Sequence, residues 1–355
     1  MVLKLKNKLE KKIFIKTLGC QMNQYDSNRI YDIVKKINYV KTLNSNEADC
    51  YVLNTCHIRE KATEKVYHDV GRIKKNFKNK KKPIVVIAGC VAQAEGEILL
   101  QREKYIDAIV GPQSYSKLNK IVLKLENKSN EIISTDFNVI EKFDTLNSIR
   151  NLDNNISSFL TIQEGCNKFC SYCIVPYTRG EEISRDFKDV VEEAKHLART
   201  GAKEIVLLGQ NVNDYYGKID DSMEGNLALL IQTISQIPGI ERIRFTTSHP
   251  QAFDDTLIDA YEACNTKLCN HLHLPVQSGS NRILKNMKRD YTVDKYFEII
   301  DKLREKRPNL PISTDIIVGF PGETEEDFLQ TMALVDRVRF DASFSFIYSP
   351  RPGTP

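Results

Sequence analysis

The chain has 355 residues, 41% hydrophobic and 28% charged, with a formal net charge of +4. Those proportions describe an ordinary globular protein of about two domains, and the odd, widely spread set of cysteines excludes a disulfide scaffold. No apolar run approaches the ~18 residues of a membrane span, and the Lys-rich first twelve residues lack the apolar core of a signal peptide. The nine cysteines are therefore expected to be reduced, cytoplasmic and available to metals. The mild basicity permits a nucleic-acid partner without demanding one.

In the first hundred residues one pattern occurs three times: an apolar run, a cysteine at its end, then a helix-like segment. Ile13-Phe14-Ile15 leads to Gly19-Cys20, Tyr51-Val52-Leu53 to Asn54-Thr55-Cys56, and Ile84-Val85-Val86-Ile87 to Gly89-Cys90. Residues 26–36, 59–75 and 92–101 suit amphipathic helices. A fourth run, Ala108-Ile109-Val110, ends in Gly111-Pro112. Short strands alternating with helices predict an α/β domain over 1–125 with a parallel sheet of Rossmann or flavodoxin-like type. Ligands of such sheets gather outside the carboxyl ends of the strands, where helix N-termini favour thiolate. Cys20, Cys56 and Cys90 thus read as ligands of one cluster with an open iron. The plainer alternative is that small cysteines suit tight turns. Cys50 opens a strand and reads as a buried thiol. Arg72, Lys74, Lys75, Lys78, Lys80, Lys81 and Lys82 read as a solvated helix end, with a phosphate-binding patch as the alternative.

Residues 126–157 are rich in Asn, Ser, Asp, Glu and Lys and read as a linker with one short strand at Ile132-Ile133. A second βα series then occupies 158–355. Its expected strands are 159–162, 204–208, 242–246, 271–274, 313–318 and 342–348. Its expected helices are 187–200, 228–236, 255–263, 281–285, 293–305 and 325–338. Six such units predict a partial (β/α)6 barrel with its active site at the carboxyl ends of the strands.

The first of these strands runs into Cys166-Asn167-Lys168-Phe169-Cys170-Ser171-Tyr172-Cys173, three thiols spaced C-x3-C-x2-C. Thiolates are soft ligands, and iron–sulfur clusters are commonly held by four of them. Three would leave one iron open, with Phe169 and Tyr172 placed to screen the cluster from water. A zinc knuckle is the competing reading, but it needs a fourth ligand, and the nearest downstream histidine is His196. The other strand-end loops, 209–213, 247–250, 275–280 and 319–324, offer amides, hydroxyls and glycines for a nucleoside and an amino-acid moiety. Their plainer reading is turn chemistry. His271 and His273 share a strand face and read as hydrogen-bonded residues ahead of a metal pair. Cys264 and Cys269 read as incidental thiols.

The C-x3-C-x2-C segment resembles the signature of the radical S-adenosylmethionine (SAM) enzymes. With the second cysteine triad, the chain is similar to the methylthiotransferases of that superfamily. The resemblance runs from Ile13 to Pro355 through TLGCQMNQYDS (17–27), NTCHIREKATEKV (54–66), IAGCVAQ (87–93), EGCNKFCSYCIVPYTRGEEISR (164–185), LLGQNVNDY (207–215), LHLPVQSGS (272–280) and STDIIVGFPGET (313–324). Gln21-Met22-Asn23, Ile58-Arg59-Glu60 and Thr178-Arg179-Gly180-Glu181-Glu182 are similar to its MiaB branch, which acts on isopentenylated adenosine in tRNA. Gln24 and His57 depart from that branch without touching the cysteine frame.

The resemblance implies two [4Fe–4S] clusters and SAM. Cys166, Cys170 and Cys173 would hold the cluster that cleaves SAM to a 5′-deoxyadenosyl radical. Cys20, Cys56 and Cys90 would hold an auxiliary cluster carrying the sulfur. One SAM would give the methyl group and another the radical. The implied product carries a methylthio group on C2 of N6-isopentenyladenosine at position 37, in the anticodon loop of tRNA. Gly209, Gln210, Asn211, Gln277, Ser278, Ile317 and Gly319 are the implied SAM contacts, and no catalytic acid or base is assigned. An external electron donor and a sulfur source are implied, and no membrane. Tyr177 and Arg179 are expected to meet RNA or substrate, or to belong to a solvent-facing loop. Family members usually continue into a β-rich RNA-binding TRAM domain, which this chain, stopping at Pro355, is expected to lack or to have lost by truncation. The alternatives are a sibling acting on threonylcarbamoyl-adenosine or on a ribosomal-protein aspartate, and a non-catalytic iron–sulfur electron carrier or sensor.

Overall fold

The structure, a computed structural model, describes residues 10–57, 62–127, 132–136, 143, 155–351 and 353–355. The chain divides into two compact units, Met1–Asn151 with Tyr177–Arg179, and Leu152–Pro176 with Gly180–Pro355.

The first unit runs β1 (Lys11–Thr17), α1 (Gln21–Lys35), β2 (Tyr39–Lys41), β3 (Cys50–Thr55), α2 (Ala62–Asn76), β4 (Ile84–Gly89), α3 (Cys90–Glu95), α4 (Glu97–Arg102), β5 (Ala108–Val110), α5 (Leu118–Glu126) and β6 (Ile132–Ser134). Its six strands are all parallel, in the order β2-β1-β3-β4-β5-β6. This is the flavodoxin-like order, whose direction reverses between β1 and β3. Helices cover both faces. Val52, Val86 and Val110 share a core with Ile30, Ile33, Leu118 and Ile121. Leu53, Ile87 and Ile109 share another with Val66, Val70, Ile73 and Leu99. Burial on both faces is why these strands read as unbroken apolar runs instead of alternating ones.

Several expectations change here. β2 and α5 lie where neither a strand nor a helix was expected. The strand expected in the linker is β6, paired with β5 as the sheet edge. The helix expected over 92–101 is two helices, broken at Gly96, whose φ is 45°. The expected start of the helix at 59 and most of the 126–157 linker lie outside the described residues. Lys74 and Lys82 pair with Glu103 and Asp107 at 2.7 and 2.6 Å, so part of the lysine run is matched by carboxylates.

From residue 155 the elements are β7 (Ser157–Thr161), β8 (Gln163–Glu164), α6 (Val175–Arg179), β9 (Ile183–Ser184), α7 (Phe187–Arg199), β10 (Glu204–Leu208), β11 (Tyr216–Lys218), β12 (Glu224–Asn226), α8 (Leu227–Ser235), β13 (Arg242–Phe245), α9 (Asp255–Ala263), β14 (Leu272–His273), α10 (Asn281–Asn286), α11 (Val293–Lys306), β15 (Ile312–Val318), α12 (Glu325–Val338) and β16 (Ala342–Ile347). β7, β10 and β13 form one parallel set and β14, β15 and β16 another. A parallel bridge joins Ile243 of β13 to Leu268, which lies ahead of β14. The result is the expected partial barrel, with strands in chain order and apolar side chains such as Leu160, Ile205, Ile243, Leu272 and Ile312 packed in one core with helix residues. The two-stranded ribbons β8–β9 and β11–β12 were not expected. His271 and His273 both bond Ser313 Oγ, at 3.1 and 3.0 Å, as the hydrogen-bonded reading required.

Candidate functional site

In the first unit the three cysteines fall at one edge of the sheet. Cys20 is the N-cap of α1, Cys56 follows β3 directly, and Cys90 is the first residue of α3. Register makes these positions equivalent: Thr17 pairs with Asn54, and Thr55 with Gly89. The site therefore straddles the point between β1 and β3 where strand order reverses, the usual ligand position in such folds.

Close approach is built in at Gly19. Its φ is +122°, and a Cβ there would stand 2.3 Å from Cys56 Cβ. A hydrogen bond with Cys56 draws the Cys20 thiol down to about 6; partial desolvation opposes this, and the Arg179 charge and the backbone N–H groups of Asn23 and Met22 assist. Beneath the thiols lies a buried amide network. Asn23 Nδ2 donates to Thr55 O at 2.9 Å, and Asn54 Nδ2 donates to Asn23 O at 2.8 Å and to Ser27 Oγ at 2.9 Å. Tyr115 Oη donates to Asn54 Oδ1 at 3.2 Å. The sequence carried Asn23 and Asn54 only inside motif segments; the structure gives them a role, locking the loops after β1 and β3 together. Arg179, expected at RNA or on a solvent-facing loop, is instead 2% exposed and paired with buried Asp26 at 2.9 Å. The segment Ile58-Arg59-Glu60 lies outside the described residues.

In the second unit Cys166, Cys170 and Cys173 occupy the loop after β8. Gly165 has φ +81°, and a Cβ on it would lie 1.8 Å from Glu181 O, so the β8–β9 ribbon closes only with glycine there. Cys173 N–H donates to Cys170 O at 2.9 Å, and Ser171 is tied to Met287 O and Asn286 O at 3.1 and 2.9 Å. Tyr172 packs against Ile283, Met287 and Phe320, whereas Phe169 is 48% exposed, so of the two expected screening rings Tyr172 is the one in an apolar cluster. Burial pushes the Cys166 thiol up to about 11 and the Cys173 thiol to about 12. A metal must displace those protons. Burial likewise raises Cys50, an ordinary core thiol as expected.

Buried Gln163 joins the cysteine loop to the loop after β10. Its Oε1 accepts from the N–H groups of Gln210 and Asn211 at 2.8 and 3.1 Å, and its Nε2 donates to Gly165 O at 2.7 Å. Gln210 Oε1 accepts from Gly165 N–H at 2.6 Å. Of the seven expected SAM contacts, Gln210 and Gly209 thus brace the cysteine loop, Gly209 lying against Gln163. Ser278 is fully buried on Thr331 and Ser280 N–H. Gln277, with φ 72°, pairs through its backbone with Asp315 O and Ile317 N–H. Ile317 packs beside Ile283 and Phe320, and Gly319 N–H donates to the Glu323 carboxylate. Asn211 differs: its Nδ2 donates to Asp214 while its buried Oδ1 has no partner.

Glu182 Oε2, Ser248 Oγ and His249 Nε2 are among the other buried side-chain atoms without a hydrogen-bond partner. His249 Nδ1 accepts from Gln251 N–H at 3.2 Å, which leaves the proton on Nε2. Burial, with the Arg289 and Lys168 charges, holds this imidazole down to about 2, hence neutral.

Two family models match the chain: the radical SAM superfamily over residues 160–335, and a family described as "uncharacterized protein family UPF0004" over 12–111. The tRNA-2-methylthio-N(6)-dimethylallyladenosine synthase of Pelagibacter ubique is 55% identical over 345 residues, 97% of this chain and 77% of that protein. Those of Francisella philomiragia and Vesicomyosocius okutanii are 51% and 52% identical, over 78% and 77% of their lengths. The chain belongs to the tRNA-2-methylthio-N(6)-dimethylallyladenosine synthase family, the MiaB branch of the radical SAM methylthiotransferases. Among solved structures, the radical SAM methyltransferase TsrM of Kitasatospora setae matches with TM-score 0.68 at 12% identity over 95% of this chain and 75% of its own. The cobalamin-dependent radical SAM enzyme OxsB matches with TM-score 0.61 at 10% identity over 92% and 52%. At those identities the likeness is one of fold.

As a member of this synthase family the chain works with SAM and [4Fe–4S] clusters. The donor sets fit. The first unit offers three thiols after β1, β3 and β4, and the second offers three on the one loop after β8. Among the described residues no three His, Cys, Asp or Glu side chains converge at the spacing of a single ion; zinc would want four ligands at ~2.3 Å, whereas an iron–sulfur cube spreads its thiolates more widely. The unpartnered acceptors Asn211 Oδ1 and Glu182 Oε2 suit an ammonium, and His249 Nε2–H and Ser248 suit a carboxylate or a ribose hydroxyl.

Glu182 also carries a stability signature. Burial first, then Asp214, pushes its carboxyl up to about 7, with Lys168 opposing. An acid raised in the folded state favours folding when protonated, so this contribution is lost as pH rises from the unfolded value of ~4.3 through 7. Glu182→Gln should therefore stabilise the apo chain at pH 8 by about 1–2 kcal/mol, after discounting for solvent screening, and change little at pH 4. Urea denaturation at both pH values checks this. Equal shifts at the two would show that folding does not raise the Glu182 pKa.

Proposed function

We propose that this chain adds a methylthio group to C2 of N6-isopentenyladenosine at position 37 of tRNA. Cys166, Cys170 and Cys173 hold the SAM-cleaving cluster, and Cys20, Cys56 and Cys90 hold the auxiliary cluster. The observation that supports this reading is the pair of cysteine triads, each at the carboxyl edge of its own parallel strands. One triad serves radical generation; sulfur transfer needs a second place to keep sulfur.

C2 of adenine is an unactivated aromatic carbon that no side-chain acid or base can substitute, so the bound groups supply the electron, the radical and the sulfur. The protein's task is position. Gln163 and Gln210 fix the cysteine loop against the loop after β10. Asn211, Glu182, Ser248 and His249 present unpartnered acceptors and donors to the amino-acid and ribose ends of SAM. The substrate base sits in a single-stranded loop and is turned out at modest cost. The partners are tRNA, a one-electron donor and a sulfur source, met in the cytoplasm. No helix among the described residues is long and apolar enough to cross a membrane.

Nucleoside analysis of tRNA from a deletion strain tests the substrate. 2-Methylthio-N6-isopentenyladenosine should vanish, leave the unthiolated nucleoside in its place, and return with the gene. An unchanged level would sink this reading. Loss of the methylthiolated threonylcarbamoyl nucleoside instead would assign the chain to the sibling reaction.

A further inference from the structure

Arg289 follows α10 in the turn Met287-Lys288-Arg289-Asp290-Tyr291 and is 5% exposed. Its guanidinium forks. One terminal nitrogen donates to Pro275 O at 2.7 Å; the other faces Cys170 Sγ at 3.8 Å and Tyr172 Oη at 3.4 Å. Its Nε donates to Tyr291 Oη at 3.2 Å, and Tyr291 Oη in turn donates to Val276 O at 2.7 Å. Among the described residues no carboxylate pairs with it; two phenols, a carbonyl and a thiol make up its surroundings.

A guanidinium cannot shed its proton, and an unmatched buried charge costs several kcal/mol. Neutral carbonyls and phenols satisfy its N–H groups without cancelling that charge. Of the groups it touches, the Cys170 sulfur is the one that becomes anionic in the working protein, as a cluster thiolate. The tyrosines stay neutral, because burial pushes both phenols above their ordinary value.

We propose that Arg289 sets the reduction potential of the cluster on Cys166, Cys170 and Cys173, by placing a fixed cation and an N–H donor on the Cys170 sulfur. This rests on that triad being the cluster's ligand set. In the step concerned, the oxidised cluster accepts one electron from an external one-electron donor, and no bond or proton changes hands at Arg289. The reduced state carries one more negative charge, so a cation and a hydrogen bond at a ligand sulfur favour it and raise the potential. Arg289 is a positioning residue. Its partners explain its place: Pro275 O and Tyr291 Oη hold two arms of the fork so that the third stays on sulfur.

The test uses the full chain with Cys20, Cys56 and Cys90 replaced by alanine, reconstituted to about four irons and titrated potentiometrically, with the reduced cluster read by electron paramagnetic resonance. Arg289→Gln should lower the equilibrium constant for one-electron reduction at least tenfold, a midpoint more negative by about 59 mV. Arg289→Lys keeps the charge but cannot fork between Pro275 O and Cys170. It should lower the constant at least threefold, by about 28 mV. Either variant holding about four irons at the parent's potential overturns the proposal, and if the Gln variant loads no iron, the Lys variant decides. A parent that loads no iron overturns the ligand assignment and the role of Arg289 with it.

Discussion

Replacing Cys166, Cys170 and Cys173 together with alanine is expected to take the anaerobically reconstituted protein from about eight irons to about four. Reductive cleavage of SAM to 5′-deoxyadenosine should stop completely. The converse variant, lacking Cys20, Cys56 and Cys90, should also hold about four irons, but still cleave SAM and transfer no sulfur. The two triads are expected to behave independently because each is fixed by its own scaffold: Asn23, Asn54 and the β1–β3–β4 register for one, Gln163, Gln210 and Ser171 for the other. Neither triad anchors a core cluster, so the variants remain folded by circular dichroism. Loading of the second-unit triad should quicken as pH rises, since Cys166 and Cys173, pushed up to about 11 and 12, must each give up a proton. A fall from about four irons to none in the first variant would leave Cys20, Cys56 and Cys90 without a cluster and remove the sulfur-carrying role.

Gly165→Ala is expected to be the most damaging single methyl group in the chain. At φ +81° an L residue is already strained, and the new Cβ would lie 1.8 Å from Glu181 O and 2.7 Å from Gly180 O. These are backbone atoms of the segment that leads into β9 and cannot swing aside. Strain and overpacking together cost about 3–5 kcal/mol, met by opening the β8–β9 ribbon that carries the cysteine loop. Iron content should fall by about half, and urea should unfold the variant at clearly lower concentration. Gly201→Ala is the control. Its φ is +104° but nothing lies within 4 Å of the new Cβ, so the loss should be only about 1 kcal/mol, with full iron content. Equal losses at the two positions would mean that backbone strain alone, not the ribbon contact, sets the cost.

The chemistry of this chain is written locally. C-x3-C-x2-C is a continuous segment, and each of Cys20, Cys56 and Cys90 ends an apolar run, so ligand type and strand-end placement follow from neighbours in sequence. The alternation of strands and helices likewise reports the parallel sheets, because strands buried on both faces must be apolar throughout. Elements whose stability comes from partners were not legible. β2 has three residues and exists through its pairing with Lys11–Ile13. The β11–β12 ribbon, around Gly217 and Gly225, has no apolar alternation to announce it. The helix expected across 92–101 breaks at Gly96, a residue that propensity alone merely disfavours.

Among site residues, side-chain type and spacing along the chain mark which thiols could bind metal and on which strand ends they sit. The tertiary structure decided what surrounds them. Gln210, an expected cofactor contact, bonds Gly165 N–H through its side chain, and Arg179, expected at RNA or substrate or on a solvent-facing loop, is buried on Asp26. His249 and Ser248 belong to the strand-end loop 247–250 that the sequence offered for cofactor contact, and both end as buried polar atoms without partners; which atoms would be left unpaired could not be read from the loop alone. Arg289 stands 119 residues from the cysteine whose sulfur it faces. Ligand identity is a property of side-chain chemistry and spacing, which a linear sequence preserves. A hydrogen-bond partner or a compensating charge is set by distance through space, and only the folded chain fixes that.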